Sequence, residues 1–392
     1  MTTTNNRLPI TKRQSKWRVP LLEANLGKEE IKALERVIES KWLSMGEATE
    51  EFEHSFASYL GVKYALAVSS GTAALHLAYL AMGIGPGDEV IVPSLTFVAT
   101  ANAVLYTGAE PIFADISGDN DLNISPADIE AKITERTKGI AVVHYGGYPA
   151  RMDEIGGLAE AHHLLVVEDV AHAPGAEFEG RKLGTIGNIG CFSFYANKNL
   201  VVGEGGMVVT NDEGLANKVR ILRSHGMTAL AWQRYRVGKP GYDCLDLGYN
   251  YRMDELSAAL GLVQLNKLEE DNLRRGKLVA EYRKRLAVFS HISLPFDSHY
   301  GKSAYHIMPL LLNGLDRDNF IQELGQKRIQ TSIHYSPIHL FTYYRQRFGY
   351  QEGLLPRTES VSAREVTLPL YSTMSEDDLA YVVDSIQESV RS

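Results

Sequence analysis

Short apolar segments alternate with helical segments along much of the chain, and this alternation restricts the fold more than any other feature of the sequence. The pattern predicts strands at Tyr64–Val68, Glu89–Val92, Pro111–Ala114, Gly139–Val143 and Leu164–Glu168. It predicts helices near Ala73–Met82, Thr100–Tyr106, Ser125–Lys132 and Met152–His162. Strands that alternate with helices form parallel sheets. We therefore predict an α/β fold with a mostly parallel sheet flanked by helices.

The length of the chain and a change of pattern near Met253 indicate two domains. The 392 residues exceed the ~250–300 beyond which a single hydrophobic core stops growing. A long helical stretch is predicted from Asp254 to about Phe289, interrupted at Gly261 and Gly276, and mixed strands and helices follow it. We predict an N-terminal arm over residues 1–20, a large domain over 21–253 and a smaller α+β domain over 254–392.

The composition excludes several classes of protein. The net charge of −8 argues against a broad nucleic-acid surface, and no apolar run approaches the ~20 residues that span a bilayer. The N-terminal residues lack the apolar core of a signal peptide, and Cys191 and Cys244 are too few for a zinc site. We expect a cytoplasmic protein without a metal ion.

The segment Ser69–Ala73 combines small and hydroxyl residues between a predicted strand and a predicted helix. The first backbone amides of a helix and the positive end of its dipole can bind a phosphate. Neither a P-loop nor a dinucleotide-binding glycine pattern is present, so a single phosphate is expected. A helix cap without a ligand is the alternative.

Asp169 and His172 follow a predicted apolar strand, at the end of the strand where parallel sheets collect their ligands. Asp169 there can pair with a protonated ring nitrogen, and His172 can contact the same ring. The alternatives are a capping role for Asp169 and a packing role for His172.

Lys198 lies between the apolar run Cys191–Tyr195 and a glycine turn that leads into Met207–Thr210. Most lysines are solvated surface charges. A lysine enclosed by two apolar segments is instead suited to form a Schiff base with the aldehyde of pyridoxal phosphate, while Asp169 pairs with the pyridine nitrogen. These two residues predict a pyridoxal-phosphate enzyme.

Other candidate residues are less specific. Phe97 could stack on a cofactor ring or belong to the core, and Asn250 reads equally well as a turn or cap residue. Arg234 and Arg236 could contact an anionic ligand such as a diphosphate, or belong to a solvated loop. His334 and His339 could suggest a metal pair, but the intervening Pro337 breaks helical spacing.

Together these segments resemble the DegT/StrS family of sugar-nucleotide aminotransferases, from about residue 20 to 390. The resemblance rests on five motifs in the family's order: Ser70–Leu75, Glu168–Ala173, Phe192–Asn199, Gly203–Gly206 and Gly248–Met253. It implies the fold type I aminotransferase architecture, with a large domain and a smaller C-terminal domain.

The resemblance also implies roles for individual residues. Lys198 forms the Schiff base, Asp169 pairs with the pyridine nitrogen and Phe97 stacks on the ring. Gly71 belongs to the phosphate-binding turn, where Thr72, Ala73 and Ser193 bind the phosphate, and Asn250 reaches the cofactor phosphate of the neighbouring subunit in a homodimer. Many members have Gln at the position of His172, which leaves its role open. Arg234, Arg236 and His339 are candidate substrate contacts.

The implied activity is transfer of an amino group from L-glutamate to a keto-sugar by a ping-pong mechanism. A nucleoside-diphosphate 4-keto-6-deoxy sugar is the expected acceptor, and a 3-keto sugar nucleotide or a keto-cyclitol remains an alternative. The family's sugar dehydratases carry His at the Schiff-base position, so Lys198 disfavours dehydration. A non-catalytic regulator that binds pyridoxal phosphate is a further alternative.

Overall fold

The computed structural model describes residues 16–228 and 241–390 and confirms the predicted α/β fold. A sheet of seven strands has the order β1-β11-β10-β7-β6-β2-β3, and a second sheet has the order β12-β13-β14. The strands are β1 (Tyr64–Val68), β2 (Glu89–Pro93), β3 (Glu110–Ala114), β4 (Ile116–Gly118), β5 (Asp121–Ile124), β6 (Thr137–Val143), β7 (Leu165–Asp169), β8 (Glu177–Phe178), β9 (Arg181–Lys182), β10 (Ile189–Ser193), β11 (Gly206–Thr210), β12 (Ile292–Ser293), β13 (Met308–Leu312) and β14 (Glu365–Leu368).

Helices cover both faces of the large sheet, and further helices contact β13 and β14 of the small one. Within the described ranges, none of them is both long and apolar enough to cross a membrane. The helices are α1 (Lys28–Ser40), α2 (Glu47–Leu60), α3 (Gly71–Ala81), α4 (Ala99–Tyr106), α5 (Pro126–Ala131), α6 (Met152–His162), α7 (Glu213–Leu222), α8 (Glu255–Leu286), α9 (Arg317–Gln326), α10 (Thr342–Phe348), α11 (Pro356–Arg364) and α12 (Glu376–Ser389).

Strand direction in the large sheet places several strand ends at one edge. Strands β10, β7, β6, β2 and β3 are mutually parallel, whereas β11 runs antiparallel to both β10 and β1. Because β1 is antiparallel to β11, its direction is that of β10. The residues that follow β1, β2, β7 and β10 therefore meet at the carboxyl edge of the sheet.

The long helix α8 is continuous, so the interruptions predicted at Gly261 and Gly276 are wrong. Both glycines are instead explained by close packing. A Cβ at Gly261 would lie 2.6 Å from the ring of Phe52, and a Cβ at Gly276 would lie 2.9 Å from the ring of Tyr305. Helix α8 packs against α1, α2 and α12, which come from both parts of the chain. The domain boundary at Met253 stays a prediction.

Replacement of Gly261 by Ala tests this packing. Alanine normally stabilises a helix interior by up to ~1 kcal/mol relative to glycine. At Gly261 the added methyl group meets the buried ring of Phe52, and overpacking of this kind costs about 1–3 kcal/mol. We expect Gly261→Ala to lower the free energy of unfolding in urea. Gly157→Ala in α6, where no atom lies within 4 Å of the added Cβ, is the matched control and should not destabilise the protein.

Candidate active site

A cavity of about 480 Å³ lies at the carboxyl edge of the large sheet. This volume is in the range of ordinary small-molecule sites. The cavity brings together most of the residues predicted from the sequence: Gly71, Thr72, Phe97, Asp169, His172, Ser193 and Lys198.

The amino end of α3 forms one wall of the cavity. Ser70 caps the helix, since its Oγ accepts a hydrogen bond of 3.1 Å from the amide of Ala73. Gly71 and Thr72 occupy the first turn, where helical amides have no acceptor within the helix. Ser193 at the end of β10 faces this turn so closely that a Cβ at Gly71 would lie 2.7 Å from the Cβ of Ser193. Two strand ends and a helix dipole therefore converge on a place suited to an anion.

Asp169 ends β7 and is buried at the cavity. Thr100 Oγ1 donates to its Oδ2 at 2.8 Å, and the amide of Ala171 donates to its Oδ1 at 3.1 Å. Burial raises the pKa of the Asp169 carboxyl, and both hydrogen bonds together with the charge of Lys198 oppose this shift. A carboxylate so placed is suited to attract a positively charged group bound in the cavity.

Lys198 lines the same cavity. Its backbone amide closes a turn with the carbonyl of Tyr195 at 2.9 Å, just beyond the end of β10. Removal from water lowers the pKa of the Lys198 amine to about 8, although the charge of Asp169 acts in the opposite direction. A larger fraction of the amine is therefore uncharged and nucleophilic near neutral pH than in an exposed lysine.

His172 is buried and its ring is fixed from both sides. The amide of Gly146 donates to Nδ1 at 3.3 Å, and Nε2 lies 2.8 Å from the hydroxyl of Tyr335. Because Nδ1 accepts, the ring proton lies on Nε2, which donates to Tyr335. Burial lowers the pKa of His172 well below its ordinary value, so the ring is neutral. The hydroxyl proton of Tyr335 is then directed away from His172 and is available to another acceptor.

The residue before Asp169 stabilises the strand end that carries it. Glu168 is fully buried and accepts hydrogen bonds from His144 and from the amides of Gly184, Ile186 and Gly187. These four donors satisfy both carboxylate oxygens, and they hold the pKa of Glu168 below its ordinary value against the effect of burial. Glu168 therefore fixes the connection that leads from β7 into β10.

Asn197 supplies an independent indication of a ligand. Its Oδ1 is buried beside Lys198 and, within residues 16–228 and 241–390, has no hydrogen-bond partner. A buried polar atom left without a partner is costly unless a ligand or water satisfies it. An amine, a carboxylate at a strand end, an anion-binding helix terminus and an unsatisfied amide thus surround one cavity. This donor set fits pyridoxal phosphate, which carries an aldehyde, a basic ring nitrogen and a phosphate.

Some predicted contacts lie elsewhere. Ala73 does not line the cavity, and its amide is already bonded to Ser70. His339 is fully buried outside the cavity, with Nδ1 2.7 Å from Ser94 Oγ and Nε2 3.0 Å from Glu359, so we withdraw it as a substrate contact. Its ring instead connects Ser94, which follows β2, to Glu359 of α11.

The four remaining candidates are Phe97, Asn250, Arg234 and Arg236. Phe97 lines the cavity but is 57% exposed, and its ring centroid lies 6.3 Å from that of Tyr335. Asn250 is exposed outside the cavity, in a bridge with Ser224. Arg234 and Arg236 lie outside the described residues.

Sequence reasoning gave no role at the cavity to Thr100, Asn197 and Tyr335, and it considered His334 only as part of a metal pair. Asn197 precedes Lys198 directly, and that adjacency was a usable signal. Thr100 lies on α4, and its contact with Asp169 depends on how that helix packs against the sheet. His334 and Tyr335 come from the loop before Pro337, and the sequence gives no indication that this loop folds back over the large sheet.

Comparison with known proteins identifies the family of the chain. The model of the DegT/DnrJ/EryC1/StrS aminotransferase family matches residues 24–387. The spore coat polysaccharide biosynthesis protein SpsC of Bacillus subtilis is 43% identical over 372 residues, which are 93% of this chain and 95% of that protein.

Two solved structures show the same fold. PseC of Helicobacter pylori, an aminotransferase involved in the biosynthesis of pseudoaminic acid, has 30% identity and a TM-score of 0.89, with 95% of this chain and 99% of that chain covered. Spr1654 of Streptococcus pneumoniae, solved in its PLP form, has 28% identity and a TM-score of 0.88, with 95% and 98% covered.

The fold and the site thus define a pyridoxal-phosphate-dependent aminotransferase. The chain belongs to the DegT/DnrJ/EryC1/StrS aminotransferase family. The resemblance predicted from the sequence motifs is therefore confirmed, as are the predicted class of enzyme and the cofactor.

The lowered pKa of Lys198 can be measured in the apoenzyme. The rate of recombination with pyridoxal phosphate depends on the uncharged amine, so we expect the rate to rise with pH to a midpoint at about 8 and then to level off. Nα-acetyl-lysine in the same assay is the control for an exposed amine. A midpoint close to the ordinary lysine value of 10.5 would contradict the effect of burial on Lys198.

Proposed function

We propose that this enzyme transfers the amino group of L-glutamate to a nucleoside-diphosphate 4-keto-6-deoxy sugar by a ping-pong mechanism. The observation that carries the proposal is the convergence of Lys198, Asp169 and the amino end of α3 on one cavity. The relationship to SpsC and PseC, whose names refer to polysaccharide and pseudoaminic acid biosynthesis, supports a sugar as the acceptor.

The residues of the cavity suit distinct parts of the cofactor. Gly71, Thr72 and Ser193 would bind the phosphate, Asp169 would hold the proton on the ring nitrogen and Phe97 would stack on the ring. When bound, pyridoxal phosphate supplies an aldehyde that condenses with amines and a ring that withdraws electrons from the bond being broken.

The remaining chemistry belongs to the protein. The amine of Lys198, once displaced by the amino donor, is the base that removes the proton from the donor's α-carbon. In the second half-reaction the same Nζ delivers a proton to the sugar carbon that receives the amine. A lowered pKa suits both tasks, because the amine exchanges protons readily near neutral pH. Thr100 keeps the Asp169 carboxylate oriented throughout.

Each alternative function can be compared with the proposed one through particular residues. A 3-keto sugar nucleotide or a keto-cyclitol would use the same catalytic residues, so only the outer part of the cavity separates these acceptors. Lys198 disfavours a dehydratase, whose family pattern has His at this position. The complete set of Lys198, Asp169 and Thr100 disfavours a regulator without catalysis.

We also propose a cytoplasmic homodimer with its active sites at the interface. In the described ranges the cavity wall has no Lys or Arg besides Lys198, although a sugar diphosphate needs cationic partners. Arg234 and Arg236 remain candidates for this contact. Asn250 is exposed outside its own cavity, which suits the proposed contact with the cofactor phosphate of the partner subunit.

The donor half-reaction tests the role of Lys198. We expect L-glutamate to convert the visible absorption band of the lysine-bound cofactor into that of pyridoxamine phosphate in the wild-type protein. Lys198→Ala should lack the lysine-bound band and lose turnover entirely. Lys182→Ala, which removes a partly buried lysine that bridges Glu177 and Glu269, is the control and should keep both. Ordinary turnover by Lys198→Ala would refute the assignment.

Replacement of Asp169 by Asn tests the electrostatic role of the carboxylate. Asparagine keeps the shape but removes the charge that holds the ring nitrogen protonated. We expect a loss of about 10²-fold or more in kcat, by analogy with the removal of one preorganised electrostatic partner. Thr100→Val should cause a smaller loss in the same direction, because it removes a single hydrogen bond to the carboxylate. Wild-type rates for Asp169→Asn would rule out this role.

The acceptor is identified by a screen of keto-sugars with the pyridoxamine form of the enzyme. We expect a nucleoside-diphosphate 4-keto-6-deoxy sugar to restore the lysine-bound band faster than a 3-keto sugar nucleotide or a keto-cyclitol. A faster response to either alternative would replace the proposed substrate and leave the aminotransferase chemistry in place.

A further inference from the structure

His334 lies on the cavity wall with one ring nitrogen free for a ligand. The side chain is 9% exposed, and its Nδ1 lies 2.8 Å from the hydroxyl of Thr367. Among the groups of the described ranges, none hydrogen-bonds Nε2, and this atom is not enclosed by the protein. Because the ring lines the cavity and Nδ1 is occupied by Thr367, Nε2 is the ring nitrogen left for a bound ligand.

The hydroxyl group of Thr367 also contacts the buried carboxyl group of Glu365. Glu365 and Thr367 are two residues apart on β14 and therefore point to the same face of the strand. Thr367 Oγ1 lies 2.5 Å from Glu365 Oε1, and the amide of His334 donates to Glu365 Oε2 at 2.7 Å. Reciprocal backbone hydrogen bonds between Ser332 and Thr367 hold the loop against the strand. A continuous chain of hydrogen bonds thus joins Glu365 to His334.

The proton on Glu365 determines which groups donate and which accept along these hydrogen bonds. When Glu365 is ionised, Thr367 donates to the carboxylate and accepts from His334 Nδ1–H, so Nε2 carries a lone pair toward the cavity. When Glu365 is protonated, the amide of His334 still requires Oε2 as its acceptor, so the proton lies on Oε1. That proton is donated to Thr367, whose hydroxyl then donates to Nδ1. The ring proton in that state lies on Nε2.

We propose that Glu365, acting through Thr367, determines the tautomer of His334 and thereby whether the cavity-facing Nε2 accepts or donates a hydrogen bond to the substrate. His334 is then the residue that contacts the substrate, and its tautomer decides whether a donor or an acceptor group of the substrate is bound. Glu365 and Thr367 are positioning residues. The identity of the substrate groups rests on the proposed function: the ammonium group of the amino donor needs an acceptor, and the carbonyl oxygen of the keto-sugar needs a donor. One histidine can then serve both half-reactions.

The surroundings of Glu365 bring its ionisation close to neutral pH. Burial raises the pKa of Glu365 to about 8, whereas burial and the charge of Lys198 lower that of His334 to about 4. His334 therefore stays neutral while Glu365 titrates. The titratable or charged groups that act on the pair from neighbouring elements are Tyr145, His172, Lys198, His306, Arg317 and Tyr335.

Nitrogen-15 NMR of histidine-labelled holoenzyme tests the proposal without any substrate. The signals of His334 are assigned by their loss in His334→Gln. In the wild-type protein we expect the proton-bearing nitrogen to change from Nε2 to Nδ1 as the pH rises through about 8. Glu365→Gln should keep it on Nε2 at every pH, because the amide of His334 holds the glutamine oxygen and directs the glutamine NH₂ toward Thr367.

Variants of Thr367 and a matched histidine–glutamate pair complete the design. Thr367→Val should abolish the pH response of His334, and Thr367→Ser should restore it. Glu359→Gln changes the partner of His339, which does not line the cavity, and should leave the His334 signals unchanged. The same tautomer of His334 across this pH range in the wild-type protein and in Glu365→Gln would overturn the proposal. If the wild-type protein showed the expected pH response of His334 but no aminotransferase activity, the result would instead count against the proposed function.

Kinetics separate the two half-reactions. Glu365→Gln fixes Nε2 as a donor, so we expect the KM for the amino donor to rise by about tenfold at pH 9, the loss of one good hydrogen bond of ~1.4 kcal/mol. The KM for the keto-sugar should instead fall at the same pH, because the variant keeps Nε2 as the donor that the carbonyl oxygen needs, whereas the wild-type Nε2 is then an acceptor. Equal changes in both constants would indicate a general structural role and contradict the proposal.

The stability of the same variant gives a check on the buried carboxyl. The pKa of Glu365 is raised from 4.5 to about 8 in the folded protein, so between these values the folded state binds more protons than the unfolded state. Its contribution to stability therefore falls as the pH rises from 4.5 to 8. We expect Glu365→Gln to match the wild-type Tm at pH 5 and to exceed it at pH 8. A Tm difference that does not change with pH would show that Glu365 does not titrate in this range.

Discussion

The shared direction of β1, β2, β7 and β10 is the constraint on which the site depends. Because these strands end at one edge, the segments that follow them bring together groups that are far apart in the sequence: the cap of α3, the loop before α4, Asp169 and Lys198. The antiparallel strand β11 lies between β1 and β10 and so gives these two strands the same direction. A reversal of β1 would move the anion-binding turn to the opposite edge of the sheet.

Desolvation is the second physical factor that gives the site its properties. It makes the Lys198 amine a weaker base and raises the pKa of the Asp169 carboxyl, and each charge partly compensates the shift of the other. A buried carboxylate needs hydrogen-bond donors, which Thr100 and Ala171 supply. The same burial that costs stability thus prepares an amine that exchanges protons near neutral pH and a carboxylate that attracts a cationic ring.

The sequence was sufficient for features that depend on local pattern. The strand–helix alternation predicted the fold class, and residues next to strand ends, such as Asp169 and Lys198, were found because strand ends can be read from apolar runs. Contacts made by tertiary packing could not be read in this way. Thr100 reaches Asp169 from a neighbouring helix, and His334 reaches the cavity from a loop 136 positions beyond Lys198. Gly261 was misread because a glycine that admits an aromatic ring resembles one that ends a helix.

The histidines around the cavity share a further property. They are neutral, and hydrogen bonds rather than charges determine which ring nitrogen donates and which accepts. His172, His306 and His334 are all held neutral by burial near Lys198, and each has a partner on at least one ring nitrogen. Charged imidazoles here would lower the pKa of the Lys198 amine further and would compete for the Asp169 carboxylate. Neutral rings with fixed tautomers can orient a substrate without this cost, and a tautomer that depends on a distant carboxyl group can change its polarity without adding charge beside the lysine.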